Sequence, residues 1–538
     1  MRRHLLFLLS IVIISPALAV SRSHRQMISI AHQQLQQQAS VPLGYELDIR
    51  HLDGNEELAI YGDSLAGFVV VSRDPSQQPV LGVSASPYSA DHIPDGFRWW
   101  LSEMTTFLKT QHTVSATSMI PIVNFVQTTW GQWSPYNGTC PTANGKSCPT
   151  GCVATAIAQI MRYFQYPTTS KGQGAYTING EKEKTVSINS TYEWNKMLYN
   201  YTTSAGSSNK KAVQGLMSDA GASVFMDYSP EGSASHIIDA AIAMFKNFRY
   251  DSLALRYCYK DLFNEEEWLG MLYHELALKR PVLYGANDAT GESGHAFLMT
   301  GNDNEGKIYV NWGWDGYADG FFEFANLILD SYHFTAGHEM VIGFRTQETP
   351  DDQDQLVSSW ATLSPYKVTP LSKNRLEFSI ADMFNYHLLY FNGQFKFCFR
   401  NVDTGKLKTY SFFTSESVAP FWGFGPDKGE KAITETISVS SLPAGTYDFF
   451  FASQAIGEST PSEIRVNGKG YSPIRIIKNI DGSFNINGEE PDEPSTIHSL
   501  KPAAANDTEV WHDLQGHRIS QPQERGIYIR NNHKILLR

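Results

Sequence analysis

A glycine and a proline bracket the most constrained stretch of this sequence. In "SCPTGCVATAIAQIMRYFQYP", the "PTG" run breaks regular structure just ahead of Cys152, and Pro167 closes the apolar run beyond it. Between them Val153, Ala156, Ile157, Ile160 and Phe164 recur at helical spacing, which predicts a core helix that begins at or near a cysteine. Further on, "RPVLYGAN", "HAFLMTGND", "KIYVNWGWDG" and "GFFEF" are short apolar runs between polar turns, the pattern of strands. Helices first and a sheet afterwards predict an α+β domain, placed at residues 116–348.

The remainder divides around that domain. Arg2 and Arg3, the apolar run Leu5 to Ile14 and the small-residue site Ala17-Leu18-Ala19 read as a secretory signal peptide over 1–19, too short to span a bilayer. Residues 20–115 read as a small α+β unit. It has a polar, Gln-rich helix, two strands in "LAGFVVVSRDPSQQPVLGVS", and an amphipathic helix with Phe97, Leu101, Met104 and Leu108 on one face. "HTVSATS" comes next as a polar linker. After the acidic linker Gln347 to Gln355, residues 356–488 alternate apolar and polar positions between turns, which predicts an all-β, sandwich-like module. A second acidic linker leads to 495–538, short strands closing in a hairpin across Asn531-Asn532.

Charge and cysteine count narrow the function. The 538 residues carry a net charge of −12 and no long basic run, so nucleic acid is not an expected partner. Five cysteines are few for an exported chain of this length, so stability must come from apolar cores. An odd count leaves at least one thiol unpaired unless it bridges to another molecule.

Cys152 has several readings. A structural zinc needs four ligands, and His236, His274 and His295 lie far along the chain and supply no second Cys/His pair by spacing, so no metal and no cofactor is expected. A redox pair wants C-x-x-C in a thioredoxin-like setting, and both spacing and setting fail. A Cys140–Cys148 disulfide suits an exported chain and leaves Cys152 free. Burial as an inert thiol is a common fate of free cysteine. Against that, a thiol at a helix N-terminus meets unsatisfied amides and the positive end of the macrodipole, which favour the nucleophilic thiolate.

A nucleophilic thiol needs a base, and the base needs an orienting group. His295 opens an apolar strand in "SGHAFLMTGND", and Asn311 lies in "YVNWGWDGY" on the expected return strand. An antiparallel return would set Asn311 beside His295, with Trp312 and Trp314 shielding their hydrogen bond. Taken singly, each has a bland structural reading. Together, Cys, His and Asn stand in the order and at the separations of papain-like proteases. The Cys152 N–H and, on weaker grounds, the Gln132 side chain in "TTWGQWSPYN" are candidate oxyanion donors.

These blocks carry a family resemblance. "WGQWSPYN", "CPTGCVATAIAQIMRYFQYP", "LMSDAGASVFMDYSPEGSAS", "GHAFLMTG" and "VNWGWDGYADGFFEF" resemble, in order, the streptopain family of secreted bacterial cysteine proteases, the C10 peptidases. The resemblance implies a papain-like fold, with Cys152 as nucleophile, His295 as base, Asn311 orienting the imidazole and Gln132 completing the oxyanion hole. It also implies a substrate cleft lined by Ser233, Ala234 and Gly294, with Trp312 and Trp314 over the His–Asn pair. Residues 20–115 are similar to the family's inhibitory pro-domain, which implies a zymogen cleaved around Gln111 to Met119. The family's glycine-rich loop after the Asn-Trp strand is not matched in "ANLILDSYHFTAGHEMVIGF". "DLQGHRIS" and "GIYIRNNHKILLR" resemble a Bacteroidetes type IX sorting signal, which implies secretion machinery as a partner and a secreted or outer-surface location.

The leading expectation is a secreted cysteine endopeptidase made as a zymogen, acting on protein or peptide substrates, host proteins among them. One rival is a surface adhesin with an inert protease-like domain. Another is a different acyl transferase on the same triad.

Overall fold

The computed structural model describes residues 21–37, 41–42, 44–109, 118–287, 294–324, 337–346, 361–426 and 431–487. It adds the backbone of four short strands between 511 and 537. The expected signal peptide, both acidic linkers, most of the expected cleavage region and much of "ANLILDSYHFTAGHEMVIGF" lie outside these residues.

One ten-stranded sheet organises the first two thirds of the chain. Numbered within it, the strands are β1 (Arg50–Gly54), β2 (Leu58–Asp63), β3 (Gly67–Ser72), β4 (Val80–Ser84), β5 (Arg256–Tyr259), β6 (Val282–Asn287), β7 (Gly294–Asn302), β8 (Ile308–Asn311), β9 (Gly320–Phe322) and β10 (Glu339–Ile342). Their order is β1-β2-β3-β4-β9-β8-β7-β6-β10-β5. The N-terminal unit therefore does more than sit beside the central domain. Its last strand joins the sheet edge, with Gly320 opposite Ser84, Phe321 opposite Val83 and Phe322 opposite Gly82.

Strands β2 to β4 are buried on both faces, which is why their sequence reads as unbroken apolar runs. One face carries α1 (His24–Gln36), begun by a Ser23–Gln26 capping box, with Met27, Ala31 and Leu35 on Ala59, Tyr61, Val69 and Val71. The other face carries α2 (Asp95–Lys109). Its buried side is Phe97, Trp100, Met104, Phe107 and Leu108, while Leu101 is only half-buried. The aromatic stripe continues into the central domain: Phe97 lies 5.2 Å from Phe322 and 5.9 Å from Trp312 between ring centroids.

The helix α3 (Cys152–Phe164) is present as expected, but it is not amphipathic in its setting. Every residue from Val153 to Arg162 is buried. It packs against α4 (Ser207–Ser223) and α5 (Ile237–Lys246) and, on the far side, against β7. Its polar side chains therefore need partners inside the protein, and they have them: Thr155 Oγ1 bonds Gly151 O at 2.9 Å and Arg162 Nε bonds Met197 O at 2.9 Å.

Residues 361–487 form the expected all-β module. A three-stranded sheet (Tyr366–Ser372, Arg375–Ile380, Ile433–Ser438) faces a larger one built on Phe391–Asn401 and Gly445–Ala455. Phe378 bridges them, 4.5 Å from both Phe397 and Phe449 between centroids. The described C-terminal strands Gly526–Arg530 and His533–Leu537 pair as the expected hairpin, with Arg530 opposite His533.

The module is fastened to the central domain near α6 (Glu265–Ala277). Tyr386 and Phe421 of the module pack around Tyr257, and Tyr386 also reaches Phe263. Arg465 is 4% exposed at its side chain, bonds Glu267 at 2.6 Å and lies over the Phe263 ring at 4.1 Å. Glu267 also closes the α6 capping box with Asn264, so one carboxylate serves helix and interface. Arg465→Ala removes charge-assisted bonds from this seam and is expected to lower stability by about 2 kcal/mol. The urea midpoint should fall at unchanged slope; an unmoved midpoint would show that the seam does not depend on Arg465.

Candidate active site

The chain before α3 is shaped to deliver Cys152 as the first residue of the helix. Gly151 is the N-cap at φ 85°, a left-handed conformation that favours glycine. A Cβ there would also stand 3.1 Å from Ser233 O and displace the end of the Met226 side chain, so a larger residue would crowd the loop as well as strain the backbone. Thr150 N–H donates to Gln132 O at 2.9 Å, which ties the Gln132 segment to the helix tip. Ser233 Oγ donates to Pro149 O at 2.8 Å. Ser233 is thus buried and spent on holding this loop, whereas Ala234 is exposed and pairs with the Asp227 backbone in both directions.

Cys152 keeps part of its surface open, yet burial is the largest influence on its thiol and pushes it above the ordinary cysteine range. Backbone N–H groups of Ala296, Val153 and Cys152 itself pull the other way, and the Asp95 carboxylate adds to the upward push. This differs from the expectation of a ready thiolate. The helix tip and its amides are there, but partial burial outweighs them. Two of these influences also locate it. Ala296 is the residue after His295 on β7, so the sulfur lies at the start of that strand. Asp95 is the first residue of α2, so a charge of the N-terminal unit is felt at the sulfur, and Gly96 after it packs on Trp312.

His295 is half-buried near the head of β7, opposite Ala286, and Gly294 before it is exposed. Asn311 does not lie opposite His295. It pairs with Leu298, three residues further along, a separation of about 10 Å along a strand. Side chains alternate along a strand, which puts Asn311 on the Leu298 face and His295 on the other. The bonds of its side chain run elsewhere: Asn311 Nδ2 donates to Thr128 O at 2.7 Å and Gln159 Oε1 at 3.1 Å, and Oδ1 accepts from Gln159 Nε2 at 3.1 Å and Gly313 N at 3.0 Å.

Trp312 takes the position on the His295 side. Its ring lies 4.9 Å from that of Phe297, two residues past His295 on the same face. It is 2% exposed, and its Nε1 donates to Ala318 O at 3.0 Å. Its backbone N–H donates to Asp319 Oδ1 at 2.9 Å, and burial nevertheless pushes the Asp319 carboxyl up to about 7. Trp314 is half-exposed on the next turn. That turn abuts the Gln132 segment, since a Cβ on Gly131 would meet Asp315 Oδ2 at 2.5 Å. Gln132 itself is half-buried.

Cys140 and Cys148 carry free thiols, so the disulfide considered for them is not formed here. Among the described residues no group of His, Cys, Asp or Glu is arranged to hold a metal ion. Sequence reasoning passed over Gln159, Thr128, Asp95 and Asp319. Gln159 alone had a visible signal, a polar amide inside the apolar run "VATAIAQIM".

A helix-tip thiol placed at the head of a histidine-bearing strand defines a papain-like cysteine peptidase. Comparison with known proteins agrees. The Peptidase C10 family model matches residues 130–322. Streptopain of Streptococcus pyogenes is 31% identical over 308 residues, covering 52% of this chain and 77% of streptopain. The thiol protease/hemagglutinin PrtT of Porphyromonas gingivalis is 31% identical over 49% of this chain and 33% of its own length. A prointerpain A fragment from Prevotella intermedia superposes with TM-score 0.51 at 29% identity, covering 56% of this chain and all of the fragment. The chain belongs to the Peptidase C10 family. It is a cysteine-type peptidase, and the adhesin alternative with an inert domain gives way to it.

The raised thiol makes a measurable prediction. In the intact chain, alkylation of Cys152 by iodoacetamide should need alkaline pH. After removal of residues 21–109, which takes away the Asp95 charge, the midpoint of the alkylation rate should move to lower pH. The check is a pH series of alkylation rates with the adduct mapped to Cys152; coincident profiles would refute the assigned cause.

Proposed function

We propose that this protein is an exported endopeptidase made as a zymogen, in which residues 20–115 are an inhibitory pro-domain, 116–348 the catalytic domain and 356–488 an accessory β-module. The observation that carries this reading is the packing of the α2 N-terminus on the site: Gly96 lies against Trp312 and Phe297, and Asp95 before it adds to the upward push on the Cys152 thiol. A zymogen needs such packing, because the pro-segment must occupy the site it restrains.

The chemistry comes from the residues. His295 accepts the proton of the Cys152 thiol, and the thiolate adds to the carbonyl carbon of the scissile peptide. The oxyanion formed is held by the Cys152 N–H at the helix tip and by the Gln132 side-chain amide, whose segment is tied to Thr150. His295 returns the proton to the departing amine as the C–N bond breaks, leaving a thioester on Cys152. Water, deprotonated by His295, hydrolyses the thioester and regenerates the thiol. Trp312 screens the imidazole from water on its own face of the sheet. Gly294, Ala234 and Trp314 are exposed or half-exposed and line the approach for a peptide substrate, and Ser233 supports that wall from within.

Export is part of the proposal: a signal peptide over 1–19, and a sorting domain over 495–538 that engages secretion machinery and leads to a secreted or outer-surface location. Among the described residues no helix is long and apolar enough to cross a membrane.

Two experiments test this function. Cys152→Ala should lower peptide hydrolysis by about 10³-fold or more, and an epoxide-type papain inhibitor should label Cys152 in the processed wild type. Retained hydrolysis, or an adduct elsewhere, would sink the assignment. For the zymogen, Gly96 is the sensitive position. A Cβ on it would come within 2.7 Å of Trp312 Cε3. Gly96→Val should weaken docking of α2 by about 1–3 kcal/mol and raise epoxide labelling of the uncleaved chain roughly tenfold. Labelling equal to that of the uncleaved wild type would argue against occlusion by α2.

A further inference from the structure

The bonds of Gln159 join the three segments that carry the site. Gln159 stands two turns beyond Cys152 on α3 and is fully buried. Its Oε1 accepts from Trp130 N at 3.2 Å, on the strand of chain that leads to Gln132. The same oxygen accepts from Asn311 Nδ2, and Gln159 Nε2 donates to Asn311 Oδ1, both at 3.1 Å. Asn311 completes the set by donating to Thr128 O at 2.7 Å and accepting from Gly313 N at 3.0 Å. The pair thus connects the nucleophile helix, the 128–132 segment and the turn after Trp312.

We propose that Gln159 is a positioning residue of the peptidase: with Asn311 it forms a reciprocal amide clasp that fixes the oxyanion segment and the tryptophan-bearing turn relative to Cys152. The proposal rests on the assignment of Cys152 and His295 above. It also gives Asn311 a different task from orienting the imidazole.

Physical chemistry supports a clasp over incidental packing. A glutamine in a helix buried on all sides is tolerated only when both ends of its amide are satisfied. Gln159 has donor and acceptor engaged, and three of its bonds reach segments outside its own helix. Neither the 128–132 segment nor the 312–317 turn is a strand or helix of its own. Fixed bonds to a rigid helix are therefore what hold their geometry, and small misplacements of catalytic groups cost large factors in rate.

The test compares Gln159→Leu, Asn311→Leu and the double variant, matured from the full chain, with kcat expressed per site titrated by the epoxide inhibitor. Titration removes unfolded protein from the count. In Gln159→Leu, kcat per titrated site should fall about tenfold to a hundredfold with KM within about threefold. Asn311→Leu should fall likewise, and the double variant no further than the worse single, because one clasp is lost in each case. A Gln159→Leu kcat per site within twofold of wild type overturns the proposal even if its thermal midpoint drops, since that is the pattern of packing alone. Multiplicative losses in the double variant overturn it too. If Gln159→Leu yields no titratable sites, Gln159→Met decides. It keeps the length of the side chain but loses both the donor to Asn311 and the amide acceptor for Trp130 N–H, so its kcat per site should lie below wild type; a wild-type kcat refutes the clasp. Failure of the epoxide to label Cys152 in the wild type would instead count against the site assignment itself.

Discussion

A helix that presents a nucleophile and is buried on every side cannot rely on water for its polar atoms. That constraint shapes the rest of the active region. From Val153 to Arg162 nothing on α3 is left open to solvent, so Thr155, Gln159 and Arg162 must be satisfied by the chain around them. Each partner is a different segment: the loop before Cys152, the Trp130 and Asn311 segments, and Met197. The polar inventory of one helix thus dictates where several loops lie. Burial also anchors the helix tip, so Cys152 inherits the rigidity of the core while standing at its edge.

The second dependence runs through the sheet. β9 ends the strands of the central domain, and an unpaired edge invites pairing. Here β4 supplies the partner, and Gly320 permits it, since a Cβ at that position would lie 2.1 Å from Val83 O. Once that register is set, α2 is carried across the face where Phe97 meets Trp312 and Phe322. Packing of the α2 N-terminus on Trp312, with the Asp95 charge felt at Cys152, is then a consequence of strand pairing some distance away. The raised thiol belongs to this packed state: a pushed-up cysteine keeps its proton at neutral pH and is a poor nucleophile.

Much of this was legible in the sequence, and the failures are physical. The break before Cys152, the strands of the β half, the apolar helix and the all-β module were readable because each is written in local pattern. Burial of α3 on all sides was not, because periodicity reports where large apolar residues fall and says nothing of alanines and satisfied polar groups facing other helices. Asn311 shows the limit more sharply. Its strand and its return direction were foreseeable, but its partner depends on register, and the irregularity between Met299 and Asn302 has no sequence mark. A shift of one position exchanges faces, so Trp312 came to the His295 side and Asn311 went to the other. Asp95 at the thiol was beyond sequence reasoning, since it depends on the β4–β9 pairing.

On the zymogen reading, release of the N-terminal unit has a structural cost that the fold limits in two places. β9 is only three residues long, so the edge it exposes is short and a poor template for pairing with other chains. The aromatic face is a larger exposure, but Trp312 does not depend on α2 for its position. Its backbone N–H and Nε1 are bonded to Asp319 and Ala318 within its own turn, and Gly313 is bonded to Asn311. The turn is held from beneath, through Asn311 and Gln159 to α3, and also by the unit that leaves, since Ala318 N–H donates to Ser86 Oγ at 2.7 Å and Ser84 Oγ donates to Asp319 O at 2.6 Å. A site that must survive removal of its cover needs its geometry fixed from the core side, and the bonds of Asn311 and Gln159 are the part that remains when Ser84 and Ser86 depart.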